Sequence, residues 1–291
     1  MKHILLTGAT GFLGSHLLEA LLTQDYKVTI LKRSTSDTWR INHLLEHVNT
    51  FDVDRMAIEE AFKNEKVDAV IHTACSYGRH GQPTHEVVES NLLFALKVLD
   101  AATLFNTDTF FNTDTLLAKY YNPYSLSKKH FVEWLKQRAQ EIKVVNLRLE
   151  HMYGPKDAQT KFVPWLIGQL EQGVSRIPLT EGSQQRDFIY IDDVVSAYLL
   201  MLEKADQLPK YTELDVGTGE LTSVHDFVAA VFEVYKSLHP TTTTQLGFGD
   251  VPMRVGEMIK VEVDNSILKG FGWYARTAQS AGVKKLFEEA Q

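Results

Sequence analysis

The residues best suited to proton chemistry are Tyr124 and Lys128, in the run YSLSK. Positions four apart share one face of a helix, so a phenol and an ammonium would stand side by side. A free phenol ionises only near pH 10, about, and a neighbouring ammonium favours its phenolate. Such a pair can give a proton to a carbonyl oxygen or take one from a hydroxyl. A second feature lies near the start, where Gly8, Gly11 and Gly14 recur every third residue in LLTGATGFLGSHLLEALL. Glycines that join a strand to a helix let a ligand approach the backbone closely. The helix start then offers unpaired N–H groups and the positive end of its dipole to an anion. The combination points to the pyrophosphate of a dinucleotide, with Gly8, Thr10, Gly11, Phe12 and Leu13 as candidate contacts.

These side chains need elements to hold them. Apolar runs at 3–7, 27–33, 48–53, 67–74, 108–113 and 143–149 read as strands, and 12–24, 56–64, 85–105 and 124–141 carry helical periodicity. Near-continuous apolar strands alternating with helices predict a parallel sheet covered on both faces. The expected fold is therefore α/β, a Rossmann-type doubly wound sheet. Past residue 150 the rhythm changes: Pro155, Pro164, Pro178 and Pro209 arrive with several glycines, and TTTT at 241–244 reads as a loop or exposed edge strand. We expect a dinucleotide-binding domain with the catalytic residues over 1–150. A smaller mixed α/β substrate lobe is expected over 151–291, with the chain crossing back to the first domain.

The chain has 291 residues, 44% hydrophobic and 23% charged, with a formal net charge of −7. That composition excludes a disordered or fibrous chain, and the acidic balance argues against nucleic acid or an anionic membrane as a partner. The single cysteine, Cys75, can build neither a disulfide framework nor a thiolate metal site, and the eleven histidines lack ligand spacing. No metal is expected. The apolar run at 4–6 is too short for a secretory signal, and no run reaches membrane-span length, so a cytoplasmic protein is expected.

Together, the glycine turn and YSLSK resemble the extended branch of the short-chain dehydrogenase/reductase superfamily, whose members include nucleotide-sugar epimerases, dehydratases and reductases. The resemblance spans residues 1–275. It implies that Asp52 and Val53 of FDVD lie near an adenine, and that Thr73 and Ala74 of VIHTA lie beside the cofactor. It also implies that Asn91 supports the active-site backbone and cofactor site, and that Lys128 holds the nicotinamide ribose. The third catalytic member would be Thr113 in FFNTDT, with Thr115 as the alternative. Folds of this kind that use NAD place an acid at the end of the second strand, whereas this chain has Lys32, Arg33 and Ser34. A cationic pair suits a 2′-phosphate, so NADP(H) is favoured, with NAD(H) the alternative.

On the substrate side, LRLEHMYGP resembles the family's LRxxNxYGP, placing His151 at a substrate-binding position. GSQQRDFIYIDDVVSAYL and PMRVGE match segments whose arginines, here Arg186 and Arg254, contact a nucleotide diphosphate; Asp193 would cap the following helix. Tyr77, Arg79 and His80 lie where sugar-contacting loops sit. In NTDT, Thr115 stands where dehydratases carry a catalytic glutamate, which argues against dehydration. The resemblance thus implies NADPH-dependent reduction of the 4-keto group of a nucleotide-linked deoxyhexose, a CDP-sugar above others. The alternatives are a 4-epimerase with tightly held NAD, or a non-catalytic NADP(H)-binding protein, against which Tyr124 and Lys128 argue. A homodimer is expected through helices 85–105 and 124–141, whose stripe includes Val87, Leu92, Phe94 and Leu96.

Overall fold

In a computed structural model that describes residues 2–79 and 81–288, the strands are β1 (His3–Thr7), β2 (Lys27–Lys32), β3 (Asn49–Asp52), β4 (Ala69–His72), β5 (Thr109–Thr115), β6 (Lys143–Leu149), β7 (His151–Tyr153), β8 (Arg176–Leu179), β9 (Gln185–Arg186), β10 (Phe188–Tyr190), β11 (Tyr211–Val216), β12 (Thr222–Ser223) and β13 (Gln245–Phe248). The helices are α1 (Phe12–Thr23), α2 (Glu60–Lys63), α3 (Thr84–Val88), α4 (Phe94–Leu104), α5 (Pro123–Arg138), α6 (Phe162–Glu171), α7 (Ile191–Glu203), α8 (Val224–Leu238), α9 (Ser266–Gly270) and α10 (Gln279–Glu288).

Seven strands form one sheet in the order β11-β6-β5-β4-β1-β2-β3. The six from β6 to β3 pair in parallel. The chain runs outward from β1 to β3, then returns on the other side of β1 with β4. That reversal is a topological switch point, where open sheets of this type open a crevice at their carboxyl ends. Register aligns the candidate residues there. Lys32 pairs with Asp52, Thr7 with His72, and His72 with Asn112. Thr7, His72 and Asn112 thus share one register row, whose partner on β2 is Leu31; Lys32 and Asp52 lie one residue further along, and Thr113 is the next residue of β5 after that row.

The chain divides into two compact units. The first comprises 1–149 and 195–215, and the second 150–194 and 216–291. In the first, Val98, Leu99, Phe110, Phe131 and Leu135 are wholly buried in one apolar core. Leu92, Phe94 and Leu96 are half-buried and pack against that core. Two elements differ from the sequence reading. The segment 85–105 is α3 and α4 joined by a π-helical turn at Glu89–Leu93, one residue wider than an α turn. The helix expected over 56–64 condenses to the four residues of α2. Asp193 lies within the first turn of α7, and its carboxylate accepts from the backbone N–H groups of Arg276 (2.8 Å) and Thr277 (3.0 Å), tying down the approach to α10. The second unit holds the short pairs β7–β10, β8–β13 and β9–β12, and 241–244 is loop. No helix among the described residues is long and apolar enough to cross a membrane.

Two stability predictions follow from this packing. A Cβ built on Gly14 would lie 2.0 Å from the Gly8 carbonyl oxygen, and backbone cannot yield as a side chain can. Gly14→Ala should cost about 1–3 kcal/mol through overpacking, outweighing a helix-propensity gain of about 1 kcal/mol; urea unfolding measures the balance. His72 is fully buried among the rings of Phe94, Phe110 and Phe131, and burial holds its pKa well below the ordinary value. It stays neutral when folded, while the unfolded chain takes up a proton below about pH 6.5. Unfolding free energy should therefore fall as pH drops from 7 to 5, with His3, lowered by burial as well, acting in the same sense. His72→Leu should reduce that slope by up to about 1.4 kcal/mol per pH unit.

Candidate active site

The turn after β1 is built for close approach. Gly8 has φ +72°, and a Cβ there would meet Thr73 Oγ1 at 2.6 Å and Ala74 N at 2.7 Å. The turn is pinned from its neighbour strand: Thr73 Oγ1 donates to the Thr7 carbonyl (2.8 Å), Ala74 N–H donates to Thr7 Oγ1 (3.3 Å), and that hydroxyl bonds His72 Nδ1 (2.9 Å). Gly11 N-caps α1 without a side-chain cap, and no acid occupies the first helical turn. Phe12 and Leu13 open that turn, so its N–H groups are left for an anionic ligand. The Thr10 carbonyl accepts from Arg40 Nη1 at 3.2 Å. Arg40 escaped the sequence reading because no spacing distinguishes it from other loop cations.

At the end of β2, Ser34 Oγ donates to Asp52 Oδ2 (2.6 Å) and Ser34 N–H to Asp54 Oδ2 (2.8 Å). The Ser34 hydroxyl, followed by the Asp54 amide and the Arg55 and Lys32 charges, holds Asp52 below the ordinary carboxyl pKa. Among the described residues, the one hydrogen bond of Lys32 Nζ is to the Arg33 carbonyl, at 3.4 Å. The exposed Arg33 guanidinium joins no ion pair among the described residues. Val53 follows β3, its N–H donating to the Lys32 carbonyl at 3.0 Å.

Asn122 starts α5 with a capping box. Its Oδ1 accepts from Ser125 N–H (2.8 Å), its own N–H donates to Ser125 Oγ (3.2 Å), and Pro123 takes the first helical position. This fixes the first turn that carries Tyr124, with Lys128 one turn later. Lys128 is 1% exposed, and its ammonium has no hydrogen bond or ion pair among the described residues. Burial lowers its pKa. Burial also drives the Tyr124 pKa well above that of a free phenol, reinforced by Cys75, Tyr77 and Asp114 and opposed by Arg79. Desolvation thus outweighs the phenolate stabilisation expected from a neighbouring ammonium, and Tyr124 is held as a neutral phenol. The Tyr77 ring lies 4.9 Å from that of Tyr124, and the Arg79 guanidinium lies 5.2 Å from the Tyr77 ring. His80 lies outside the described residues.

Asn91 sits in the π-helical turn and is fully buried. It accepts from Ser76 N–H (2.6 Å) and donates to Ser76 O (2.8 Å) and Ser127 Oγ (3.0 Å). These bonds occupy its amide, so it supports the loop after β4 and α5. Along β5, Thr113 and Thr115 face one side and Asn112 and Asp114 the other. Thr113 is half-buried and shares a 2.7 Å hydrogen bond with Tyr198 Oη. Thr115 is 6% exposed and its hydroxyl accepts from Leu117 N–H at 3.2 Å. The buried Asp114 is paired with Lys129 Nζ (2.7 Å) and accepts from Asn146 Nδ2 (3.3 Å).

In the second unit, Arg186 is 5% exposed and donates to Glu257 Oε1 (2.7 Å) and the Gln185 carbonyl (2.8 Å). Glu257 belongs to the same PMRVGE segment as Arg254, which is exposed. His151 on β7 is exposed, with Nδ1 3.0 Å from Glu150 Oε1. Among the described residues no group of histidines, cysteines and carboxylates is arranged to hold a metal.

The first unit fits a dinucleotide: a cradle a Cβ would fill, uncapped N–H groups, and a buried ammonium without a partner. Comparison with known proteins agrees. A profile of the NAD dependent epimerase/dehydratase family matches residues 4–217. CDP-abequose synthase of Salmonella muenchen is 35% identical over 294 residues, covering 98% of this chain and 97% of that protein. A putative UDP-glucose 4-epimerase of Methanocaldococcus jannaschii is 26% identical, over 97% of this chain and 96% of that one. The crystal structure of UDP-glucose 4-epimerase from Thermotoga maritima with UDP-glucose superposes with a TM-score of 0.83 at 22% identity, covering 99% of this chain and 98% of that chain; at that identity the likeness speaks to the fold. The match to the family profile and the near full-length relative lead to one conclusion: this chain belongs to the NAD dependent epimerase/dehydratase family, enzymes of nucleotide-sugar chemistry.

Proposed function

We propose that the chain reduces the 4-keto group of a nucleotide-linked deoxyhexose with NADPH, a CDP-sugar being the favoured substrate. The observation that carries this reading is a neutral, burial-raised Tyr124 phenol one turn from an unpartnered buried Lys128. When bound, NADPH supplies the hydride. Tyr124 Oη gives its proton to the oxygen that becomes the new hydroxyl. Lys128 Nζ hydrogen-bonds the nicotinamide ribose, the partner its buried ammonium otherwise lacks. Thr113 binds the substrate oxygen, a role favoured over Thr115 because Thr113 is half-buried whereas Thr115 is 6% exposed. The turn residues Gly8, Thr10, Gly11, Phe12 and Leu13 hold the pyrophosphate, and Thr73 and Ala74 wall it.

Lys32, Arg33 and Ser34 receive the 2′-phosphate, with Asp52 and Val53 at the adenine. Arg186 and Arg254 contact the nucleotide diphosphate, Arg186 oriented by Glu257, and His151 contacts the sugar. Two features oppose elimination chemistry. Thr115 stands where a glutamate would be needed, and Asp114 is sealed in its pair with Lys129. The 35% identity to a CDP-abequose synthase favours the CDP-sugar.

The test is to follow NADPH oxidation with CDP-linked and UDP-linked 4-keto-deoxyhexoses. Net NADPH consumption with the CDP-sugar is expected. Stoichiometric NAD that will not dissociate, with sugar interconversion and no net nicotinamide turnover, would replace this reading with 4-epimerisation. Tyr124→Phe should lower kcat by about 10²–10⁴ while NADPH still binds, by fluorescence titration, with wild-type affinity. The Lys32→Ser, Arg33→Ser double variant should weaken NADPH binding by about tenfold or more, through lost charge-assisted contacts, and leave NADH binding nearly unchanged.

A further inference from the structure

Thr113 Oγ1 and Tyr198 Oη lie 2.7 Å apart, and distance alone leaves the donor open. Their surroundings differ. Tyr198, on α7, is 0% exposed; Thr113, at the end of β5, is half-buried. A phenol carries one O–H proton, and a buried O–H without an acceptor costs the full desolvation of that group. Among the described residues the Thr113 oxygen is the one atom hydrogen-bonded to Tyr198 Oη. Asp114, adjacent in sequence, faces the other side of the strand and is engaged by Lys129 and Asn146. Thr113 has a second direction available to its own hydroxyl, and Tyr198 has none.

We propose that Tyr198 is a positioning residue whose phenol donates to Thr113 Oγ1 and thereby leaves the threonine proton free for the substrate oxygen. This rests on the reading above, in which Thr113 meets that oxygen. A keto oxygen offers only lone pairs. Were Thr113 to donate toward Tyr198, the threonine would present lone pairs to lone pairs, and the phenol proton would be stranded in the core. The opposite direction gives a continuous chain, from Tyr198 O–H to Thr113 O–H to the substrate carbonyl, in which each bond polarises the next. Burial raises the Tyr198 pKa, so the donor remains a neutral phenol across the working range. For packing alone a phenylalanine would fill this position; the hydroxyl is the part that packing does not require.

Two measurements test the proposal, one independent of turnover. Neutron diffraction from deuterated crystals of the full chain should place the shared deuteron on Tyr198 Oη, along the line to Thr113 Oγ1. A deuteron on Thr113 pointing at Tyr198 overturns the assignment. In kinetics, Tyr198→Phe keeps the ring and should lower kcat by about tenfold or more, with KM within about twofold, the pattern of an interaction made in the transition state. In a Thr113→Val background the same change should have no further effect, because its target is gone. Wild-type kcat in Tyr198→Phe, or an equal loss in both backgrounds, also overturns it, the second marking a purely structural effect. If the wild-type chain reduces no 4-keto sugar, the functional reading fails, and the neutron density alone decides the direction of the bond.

Discussion

The clasp between the ends of β1 and β4 is the constraint on which the site depends. Thr7 is held three times over, by His72 Nδ1, by the Ala74 amide and by the Thr73 hydroxyl. With the two strand ends drawn this close, the residue after Thr7 has no room for a Cβ, and the chain must turn through a positive φ. Glycine satisfies both conditions at once. The turn then delivers α1 with its first N–H groups uncapped, and parallel register carries the same row outward to Leu31 and Phe51, one residue short of Lys32 and Asp52, and inward to Asn112. A change that loosened the clasp would move every cofactor-side residue together, because they share that one edge.

Low dielectric decides the state of the candidate pair, Tyr124 and Lys128. An ammonium near a phenol stabilises the phenolate in water, but here Lys128 is buried and Tyr124 half-buried. The cost of charging a buried phenol exceeds what a neighbouring charge returns, so Tyr124 keeps its proton. The same burial depresses Lys128. A resting site with a neutral acid is arranged to donate, which suits carbonyl reduction better than the abstraction of a hydroxyl proton as a first step. The buried Asp114, paired with Lys129 and bonded by Asn146, adds to the rise in the Tyr124 pKa.

What was legible in the sequence was local. The strand–turn–helix around Gly8 and the i, i+4 pair on α5 are each contained within a score of residues or fewer, and their chemistry follows from spacing alone. The features that escaped are contacts between distant segments. Tyr198 meets Thr113 across 85 residues of chain, Arg40 reaches Thr10 across 30, and Asp193 serves the backbone of Arg276 and Thr277. No periodicity encodes such pairings. The π-helical turn was invisible for a related reason. Apolar spacing through 85–105 fits one helix, and the extra residue serves Asn91, which reaches the Ser76 backbone and Ser127.

The adenosine end shows how charge placement, more than charge count, bears on cofactor preference. Lys32, Arg33 and Arg55 outnumber Asp52 and Asp54 by one, so by count the cluster carries little net charge. The acids, however, are already committed. Asp52 accepts from the Ser34 hydroxyl and lies 3.5 Å from Arg55 Nε, and Asp54 accepts from the Ser34 amide. Lys32 is register-paired with Asp52, whose field reaches it, so its net attraction for a further anion is partly spent. Arg33 carries no such pairing, and its planar guanidinium can meet a phosphate with two parallel bonds. Within the cationic pair, Arg33 therefore supports the NADPH reading more strongly than Lys32. Ser34, by holding both acids, keeps them from competing for the arginine.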